Sequence, residues 1–334
     1  MIARRLAFRS FVDYAASVRH AVLDVQILAR ESRAWRLDRR RLGDVLLERG
    51  AEGAPYLATV SPAWRTLCFT FTADTGDGRS LDAWEAGDRA LCRLAGGARA
   101  SLVVRRPGEW FAVVAGASAV ATLGGDPDPE PGTSVVIPRP ERLASLRALA
   151  SRALEASEGH EGTAAGASAS LGRTLLGEAL AAFADGSRAV PPPSHARIGR
   201  RPVLERLEEF LARRASEPLY VAELCEATGL PERTLRFILA EQYGTSPVRL
   251  LRNRRLCQLR HALLGGADSD QSVAAIATRF GFRHMGQLAA DYRALFGEAP
   301  SATLRRSREG EPLEALAPAE YPEAEPAYEL VEPT

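Results

Sequence analysis

The sequence predicts an α+β protein with a β-rich N-terminal domain, a helical linker and an all-α C-terminal domain. Two patterns carry this prediction. Over residues 1–138, short apolar runs alternate with Gly, Asp and Pro, as strands and turns do. Over residues 198–308, apolar residues recur instead at intervals of three and four, which is typical of amphipathic helices. A chain of 334 residues has room for both domains.

The predicted N-terminal domain begins with an amphipathic helix over 8–19. The segment 73–87 contains several acidic residues, but not at the spacing of a calcium-binding loop, so we expect a turn there. The apolar runs predicted to be strands are 23–28, 44–47, 67–72, 100–104 and 110–114. The four tryptophans either line a ligand pocket or belong to the core, and the core is the commoner place for aromatic side chains. They are Trp35, Trp64, Trp84 and Trp110.

Residues 139–197 are predicted to form a helical and proline-rich linker. Leucines at helical spacing occur over 143–149 and 171–180, and small polar residues separate them at 157–170. A second break is predicted at 185–200. This segment contains a triple proline, and proline cannot continue a helix. The two helices would form a connector or a dimerisation surface, or would pack on their own domain. The sequence leaves both alternatives open.

Within the C-terminal domain, one pattern occurs twice. A short helix beginning at Val221 is followed by Gly229, which is free to adopt the positive φ of a tight turn, and by Pro231 at the start of a second helix. About 52 residues later, a helix beginning at Val273 is followed by Gly281 and another helix. Helix, glycine turn and helix describe a helix-turn-helix unit.

One long helix over 248–264 is predicted to join the two units. Ser246 would cap its N-terminus, Pro247 would occupy its first position, and Gly265 would end it. Its inner stripe contains Leu256, Leu259 and Leu263. Arginines are predicted to cover its other faces: Arg249, Arg252, Arg254, Arg255 and Arg260.

The charge distribution separates this region from the rest of the chain. The whole chain has a net charge of +1, and every basic residue apart from histidine is arginine. Residues 196–308 contain 19 Arg and 12 acidic residues, whereas residues 309–334 contain eight Glu and no Arg. A compact basic segment is typical of a module that binds a polyanion. The acidic tail is predicted to be disordered.

Residues 200–306 resemble the DNA-binding domain of the AraC/XylS family of transcription regulators. The segment VAAIATRFGF...LAADYRALFGEAPSATLRR follows the family's closing signature, and VAELCEATGLPERTLRFILAEQYGTSPVRLLRNRRL is similar to its first unit. The front end, FRSFVDYAASVRHAVLDVQIL followed by RRRLGDVLLERG, is similar to the ethanolamine-operon-type regulators within that family. The resemblance implies a sequence-specific regulator, more often an activator, that binds double-stranded DNA. Its further implied partners are RNA polymerase, a small-molecule effector on the N-terminal domain and a second copy of the chain.

The resemblance also implies which residues contact DNA, because the family inserts the second helix of each unit into successive major grooves. Arg233, Arg236 and Phe237 occupy the base-facing positions of the first unit, and Gln287 lies between Gly286 and Ala290 in the second. Arginine can donate two hydrogen bonds to guanine, and glutamine can read adenine. For Phe237, contact with a thymine methyl group and simple surface packing both remain open. Residues expected to contact phosphates are Arg252, Arg255, Arg283, His284, Arg293, Arg305 and Arg306. An arginine of the long helix could instead pair with Glu241 or Asp291, as surface ion pairs often do.

A metal-dependent enzyme built on a cupin-like N-terminal domain would need several histidines and a carboxylate, but His20 is the single histidine of residues 1–138. We therefore expect no catalytic residue, metal or cofactor. An architectural DNA-binding protein without an effector stays open. Since no apolar run approaches the ~20 residues needed to cross a bilayer, we expect no membrane contact and a cytoplasmic location, with the four cysteines reduced.

Overall fold

The computed structural model describes residues 4–8, 10–63, 65–73, 78–82, 84–85, 87–127, 129–155, 164–188, 201–214, 217–265 and 270–309. The described part of the N-terminal domain is built on two antiparallel sheets. Sheet A has the order β1-β3-β4-β11-β6-β9-β12-β13, and sheet B has the order β2-β5-β10-β7-β8. The strands of sheet A are β1 (Arg4–Phe8), β3 (Trp35–Leu42), β4 (Val45–Ala51), β6 (Thr66–Thr72), β9 (Leu91–Ala95), β11 (Glu109–Gly116), β12 (Thr133–Ile137) and β13 (Ser187–Arg188). Those of sheet B are β2 (Ala21–Ile27), β5 (Tyr56–Pro62), β7 (Arg79–Leu81), β8 (Trp84–Glu85) and β10 (Ala100–Val104).

The sheets are layered because side chains alternate between the two faces of each strand. Cys68 of β6 and Trp110 of β11 belong to a core that also contains Tyr56 and Val60 of sheet B, so this core lies between the sheets. The next residue on β6, Phe69, belongs to a second core on the opposite face of sheet A. The β-rich prediction is confirmed, and each of the five predicted strands coincides with a strand of the structure.

Helices α3 (Pro140–Glu155) and α4 (Ala164–Ala184) cover the outer face of sheet A. Leu146 and Leu175 are fully buried there beside Phe69 and Phe111. These helices therefore pack on the N-terminal domain. This is the second of the two arrangements that the sequence left open for the linker. Helix α4 begins inside the segment 157–170 that was predicted to be a break. The proline-rich stretch 189–200 lies outside the described residues, as does the predicted disordered tail from residue 310.

Two short helices of the N-terminal domain differ from the sequence prediction. Helix α1 (Phe11–Ser17) is shorter than predicted, because Phe8 lies in β1 and Ser10 caps the helix by accepting from the amide of Val12. Helix α2 (Ala117–Thr122) follows β11 directly. The predicted turn at 73–87 contains β7 and β8, and its residues 74–77, 83 and 86 lie outside the described part.

The C-terminal domain is helical throughout its described elements. Helices α6, α7, α8, α9 and α10 correspond to the helices predicted from periodicity, whereas α5 and α11 were not predicted. The helices are α5 (Arg201–Arg213), α6 (Val221–Thr228), α7 (Glu232–Tyr243), α8 (Pro247–Leu264), α9 (Val273–Arg279), α10 (Met285–Phe296) and α11 (Pro300–Arg308).

The two domains share their cores. Val103 of β10 and Leu28 after β2 point away from the core between the sheets and are buried among side chains of α5 to α8. Two side-chain amides also join the domains: Gln26 donates to the carbonyl of Leu250 at 2.9 Å, and Asn253 donates to the carbonyl of Leu28 at 2.9 Å. The long helix α8 is thereby fixed along the edge of sheet B.

Candidate DNA-binding surface

The first helix-turn-helix unit consists of α6 and α7. Gly229 ends α6 with φ of 70°, a conformation that glycine adopts without steric cost, and Pro231 precedes α7 as its N-cap. Leu235 and Leu239 of α7 are fully buried against the neighbouring helices. The buried stripe fixes the orientation of α7, so its opposite face is turned to solvent.

The three predicted base-facing residues of this unit lie together on that solvent face. Arg233, Arg236 and Phe237 are all exposed, and Phe237 retains 61% of its accessible surface. The guanidinium of Arg236 pairs with Glu232 one turn earlier, at 2.5 Å. An exposed pair of this kind is weak, so Arg236 can exchange it for a base.

The second unit, α9 and α10, repeats this arrangement. Gly281 makes the turn with φ of 77°, and Leu288 and Tyr292 bury the inner face of α10. Gln287 is exposed on the outer face with Gly286 and Ala290 beside it. The base-facing surface of the second unit therefore has a single polar side chain among the three predicted positions.

The arginines of α8 do not all point to solvent. Arg252 pairs with Asp291, one of the two acids that the sequence offered, and Arg255 lies over the ring of Phe282 at 5.8 Å. Arg254 donates to the carbonyls of Leu211 and Arg214 at the end of α5, at 2.6 and 3.0 Å.

The sequence prediction for Arg260, which placed it on an outer face of the long helix, was wrong. Its side chain is 2% exposed, and its Nη1 donates to the carboxylate of Glu298 at 2.9 Å. Arg260 therefore belongs to the packing between α8 and the end of the second unit rather than to the solvent face.

The remaining predicted phosphate contacts divide into two groups. Arg283, His284 and Arg293 are exposed around α10, and His284 is the N-cap residue of that helix. Arg305 is exposed and lies 3.8 Å from Glu309, whereas Arg306 donates to both carboxylate oxygens of Glu298 at 2.8 Å. The first group is the better placed for a phosphate, because the guanidinium of Arg306 already has an anionic partner.

The N-terminal domain contacts both recognition helices near their C-terminal ends. Gln242 of α7 donates from Nε2 to Ser80 Oγ at 3.1 Å, and its carbonyl accepts from Arg105 at 3.2 Å. At the end of α10, Phe296 stacks on Phe11 of α1, with ring centroids 6.2 Å apart. These contacts leave the N-terminal halves of α7 and α10 exposed.

A cavity lies between the two sheets of the N-terminal domain. Its volume is about 70 Å³, several times the space that one water molecule needs. Its wall is largely apolar and includes Trp110, Cys68 and Cys92, while Arg79 and Tyr14 are among its polar groups. Trp35 is fully buried in the core nearby; the side chains of Trp64 and Trp84 lie outside the described part.

Two buried carboxylates, neither predicted from the sequence, pair with residues that line this cavity: Glu48 lies on β4, and Glu52 directly follows that strand. Glu48 pairs with His20 and accepts from Arg39 Nε at 2.7 Å. Burial alone would raise the pKa of Glu48, but these two partners hold it below its usual range. Glu52 lies 2.5 Å from Arg79, and there burial prevails and raises the pKa of the carboxyl. The sequence contains one signal for Glu48, which is the single acidic residue in the largely apolar strand VLLERGA.

In the described ranges, no group of three or more His, Cys, Asp or Glu side chains is placed to hold a metal ion. Within the same ranges, no helix is both long and apolar enough to cross a membrane.

Comparison with known proteins identifies the C-terminal domain. A family model described as a helix-turn-helix domain matches residues 224–306. The chain is 33% identical over 107 residues to the XylDLEGF operon transcriptional activator of Pseudomonas putida, a match that covers 32% of this chain and 33% of that protein. It is 35% identical over 97 residues to the probable thc operon regulatory protein of Rhodococcus erythropolis, covering 29% of each. The matches thus span about a third of these relatives, at the helix-turn-helix end of this chain.

Two solved structures are also similar. A probable AraC family transcriptional regulator from Rhodopseudomonas palustris CGA009 is 33% identical, covering 32% of this chain and 98% of that one, with a TM-score of 0.29. The AraC-like transcriptional activator CuxR is 15% identical, covering 77% and 94%, with a TM-score of 0.40. Both scores are too low to compare the arrangement of the domains. The 33% identity over almost the whole of the Rhodopseudomonas protein, with the helix-turn-helix match, shows that this chain belongs, through its C-terminal domain, to the AraC/XylS family.

Proposed function

We propose that the chain is a sequence-specific DNA-binding regulator that activates transcription, with α7 and α10 entering successive major grooves. One observation carries the proposal: both second helices bury one face in the domain core and expose the opposite face over their N-terminal halves. Recognition helices of helix-turn-helix proteins read bases with this part of the helix. The net positive charge of residues 196–308 favours the phosphate backbone.

The proposed base contacts come from both units. Arg233 and Arg236 would each donate to guanine, and Gln287 would read adenine. Phe237 is exposed enough to contact a thymine methyl group. Phosphate contacts are assigned to Arg283, His284 and Arg293, while Arg252, Arg255, Arg305 and Arg306 would have to exchange or share their present partners.

We further propose that the cavity between the sheets binds a small apolar effector. Two elements that line the cavity also reach the recognition helices. On β7, Arg79 and Leu81 line the cavity and the intervening Ser80 contacts Gln242 of α7. On α1, Tyr14 lines the cavity and Phe11, one turn earlier, contacts Phe296 of α10. Filling the cavity would therefore act on both units.

The other proposed partners have different support. Contact with RNA polymerase follows from the role of the relatives, one of which is named a transcriptional activator. A homodimer is implied by the family resemblance alone. An architectural DNA-binding role is the second candidate, and it would give the cavity between the sheets no part in DNA binding.

The test is selection of binding sites from a random duplex pool with the full chain, because the helix-turn-helix domain shares its core with the N-terminal domain. We expect one motif with two elements about 10 base pairs apart, and affinity that falls steeply with salt. Binding without enrichment would favour the architectural role. A failure to bind any duplex would contradict the proposal.

A further inference from the structure

The outer face of α10 contains a hydrogen-bonded chain of three side chains. Gln287 donates from Nε2 to Asp291 Oδ1 at 2.8 Å, one helical turn further on. The other carboxylate oxygen of Asp291 pairs with Arg252 of α8. The chain therefore connects the long helix between the two units with the polar side chain that the second unit presents to DNA.

Each member of this chain has a distinct environment. Asp291 is largely buried, with 16% of its side chain exposed, whereas Arg252 is 41% exposed and Gln287 lies on the surface. An ionised carboxylate so close to a DNA-binding face would repel the phosphates. Arg252 compensates this charge, so Asp291 can lie there without preventing the approach of DNA.

The contact also fixes the amide of Gln287. A glutamine side chain on a helix surface is normally free to rotate, and ordering it on binding has an entropic cost. With one N–H held by Asp291, the carbonyl oxygen and the second N–H remain available as one edge. That edge is complementary to the N6 amino group and N7 of adenine.

We propose that Asp291 is a positioning residue that holds Gln287 in the orientation that reads adenine, with Arg252 compensating its charge. The inference rests on the proposed function, since it requires α10 to enter the major groove. The side chains of Gly286 and Ala290 cannot form hydrogen bonds. The base preference of the second unit at the position that α10 reads therefore depends on Gln287. Asp291 would then control one base position without contacting DNA.

The experiment measures the affinity of the full chain for its selected operator and for operators with each other base at one position. Gln287→Ala first identifies that position as the one where discrimination is lost. Asp291→Ala is expected to reduce discrimination there about tenfold, while affinity for unrelated duplexes stays the same or rises because a negative charge is gone. Asp291→Asn keeps an acceptor for the Gln287 amide and is expected to retain most of the discrimination.

The double variant Gln287→Ala/Asp291→Ala tests whether the two residues act together. It should lose no more discrimination than Gln287→Ala alone. Glu226→Ala, which removes an exposed acid from α6, is the control for the change in charge and should leave discrimination unchanged. Thermal unfolding of each variant confirms that it is folded.

Three results would overturn the inference: equal weakening by Asp291→Ala on all four bases, full additivity with Gln287→Ala, or no discrimination lost in Gln287→Ala. The base preference of the Arg233→Ala variant shows whether such a result concerns Asp291 alone or the proposed function as a whole. If Arg233→Ala still relaxes preference in the first unit, only the role of Asp291 is wrong. If the wild-type chain itself selects no sequence, the proposed function and this inference both fail.

Discussion

The buried guanidinium of Arg260 and the carboxylate of Glu298 form an ion pair at 2.9 Å between α8 and the loop after α10. The same carboxylate accepts from Arg306 and Thr303, and these partners hold its pKa below the usual range although burial alone would raise it. Glu298 thus connects the long helix, the second recognition helix and α11. Glu298 therefore helps to fix the C-terminal end of α10, together with the buried side chains of Leu295 and Phe296.

Glu298→Ala should therefore destabilise the protein strongly. It removes the carboxylate that Arg260 is hydrogen-bonded to in the interior and leaves its hydrogen bonds to Ser10 and Tyr292, at 3.3 and 3.5 Å. Removing one partner of a buried pair typically costs about 3–5 kcal/mol, and urea unfolding of the full chain measures it. Arg305→Ala, which removes an exposed arginine, is the control and should change stability by less than about 0.5 kcal/mol. Equal effects of the two variants would contradict the structural role of the pair.

Arg233→Ala should relax the base preference at one operator position. The expected loss is about 1–3 kcal/mol for the preferred base, because one arginine–base contact disappears while the phosphate contacts remain. Competition binding with operators substituted at each position measures it. Arg283→Ala provides the comparison: as a phosphate contact it should weaken binding on all sequences alike and reduce the salt dependence. A uniform loss for Arg233→Ala would instead make Arg233 a phosphate contact.

Glu208→Gln should flatten the pH dependence of stability between about pH 5 and pH 8. Burial raises the pKa of Glu208 to about 7, although Tyr243 donates to the carboxylate at 2.5 Å. A carboxyl whose pKa is higher in the folded state contributes stability at low pH, which is lost as the pH rises through its folded pKa. The wild type should thus lose about 2–3 kcal/mol more than the variant over this range.

Urea unfolding at each pH gives the comparison between Glu208→Gln and the wild type. Asp13 also has a raised pKa, about 6, caused by burial. Both proteins retain Asp13, so it cancels in the difference between them. Parallel pH profiles would show that Glu208 ionises freely and that the α5–α7 contact does not depend on its protonation.

Periodicity predicted α6 to α10 of the C-terminal domain, because each of them buries one stripe, but α5 and α11 were not predicted. It failed at Arg260 for a physical reason. Arg260 follows Leu256 by four residues and precedes Leu263 by three, so the spacing itself places it on the buried stripe. The charge of arginine favoured the prediction of an exposed side chain, whereas in the structure Glu298, from the loop after α10, pairs with Arg260 in the interior.

The same limit explains the strands that were missed in the N-terminal domain. Strand β3 contains Arg39 and Arg40, which interrupt its apolar alternation. Both are largely withdrawn from solvent because Glu48 and the carbonyl of Ala153 accept from them. Such partners come from other elements, so a local pattern cannot reveal them. The contact between Gln287 and Asp291 is different, because the two residues lie one turn apart on α10 and their i, i+4 spacing is a local signal.

Phe11→Ala should separate the N-terminal domain from the second unit. The Phe11 ring is fully buried, stacked on Phe296 and edge-on to His261 at 5.6 Å. Deleting a buried aromatic ring costs about 3–5 kcal/mol, because packing is lost and a cavity remains. Since the contact is at the end of α10, we expect amide hydrogen exchange to increase more in α10 than in α7. Val22→Ala, at a position that is 66% exposed, is the control and should alter neither stability nor exchange. Uniform acceleration across both units would instead mean that the domain unfolds as one body.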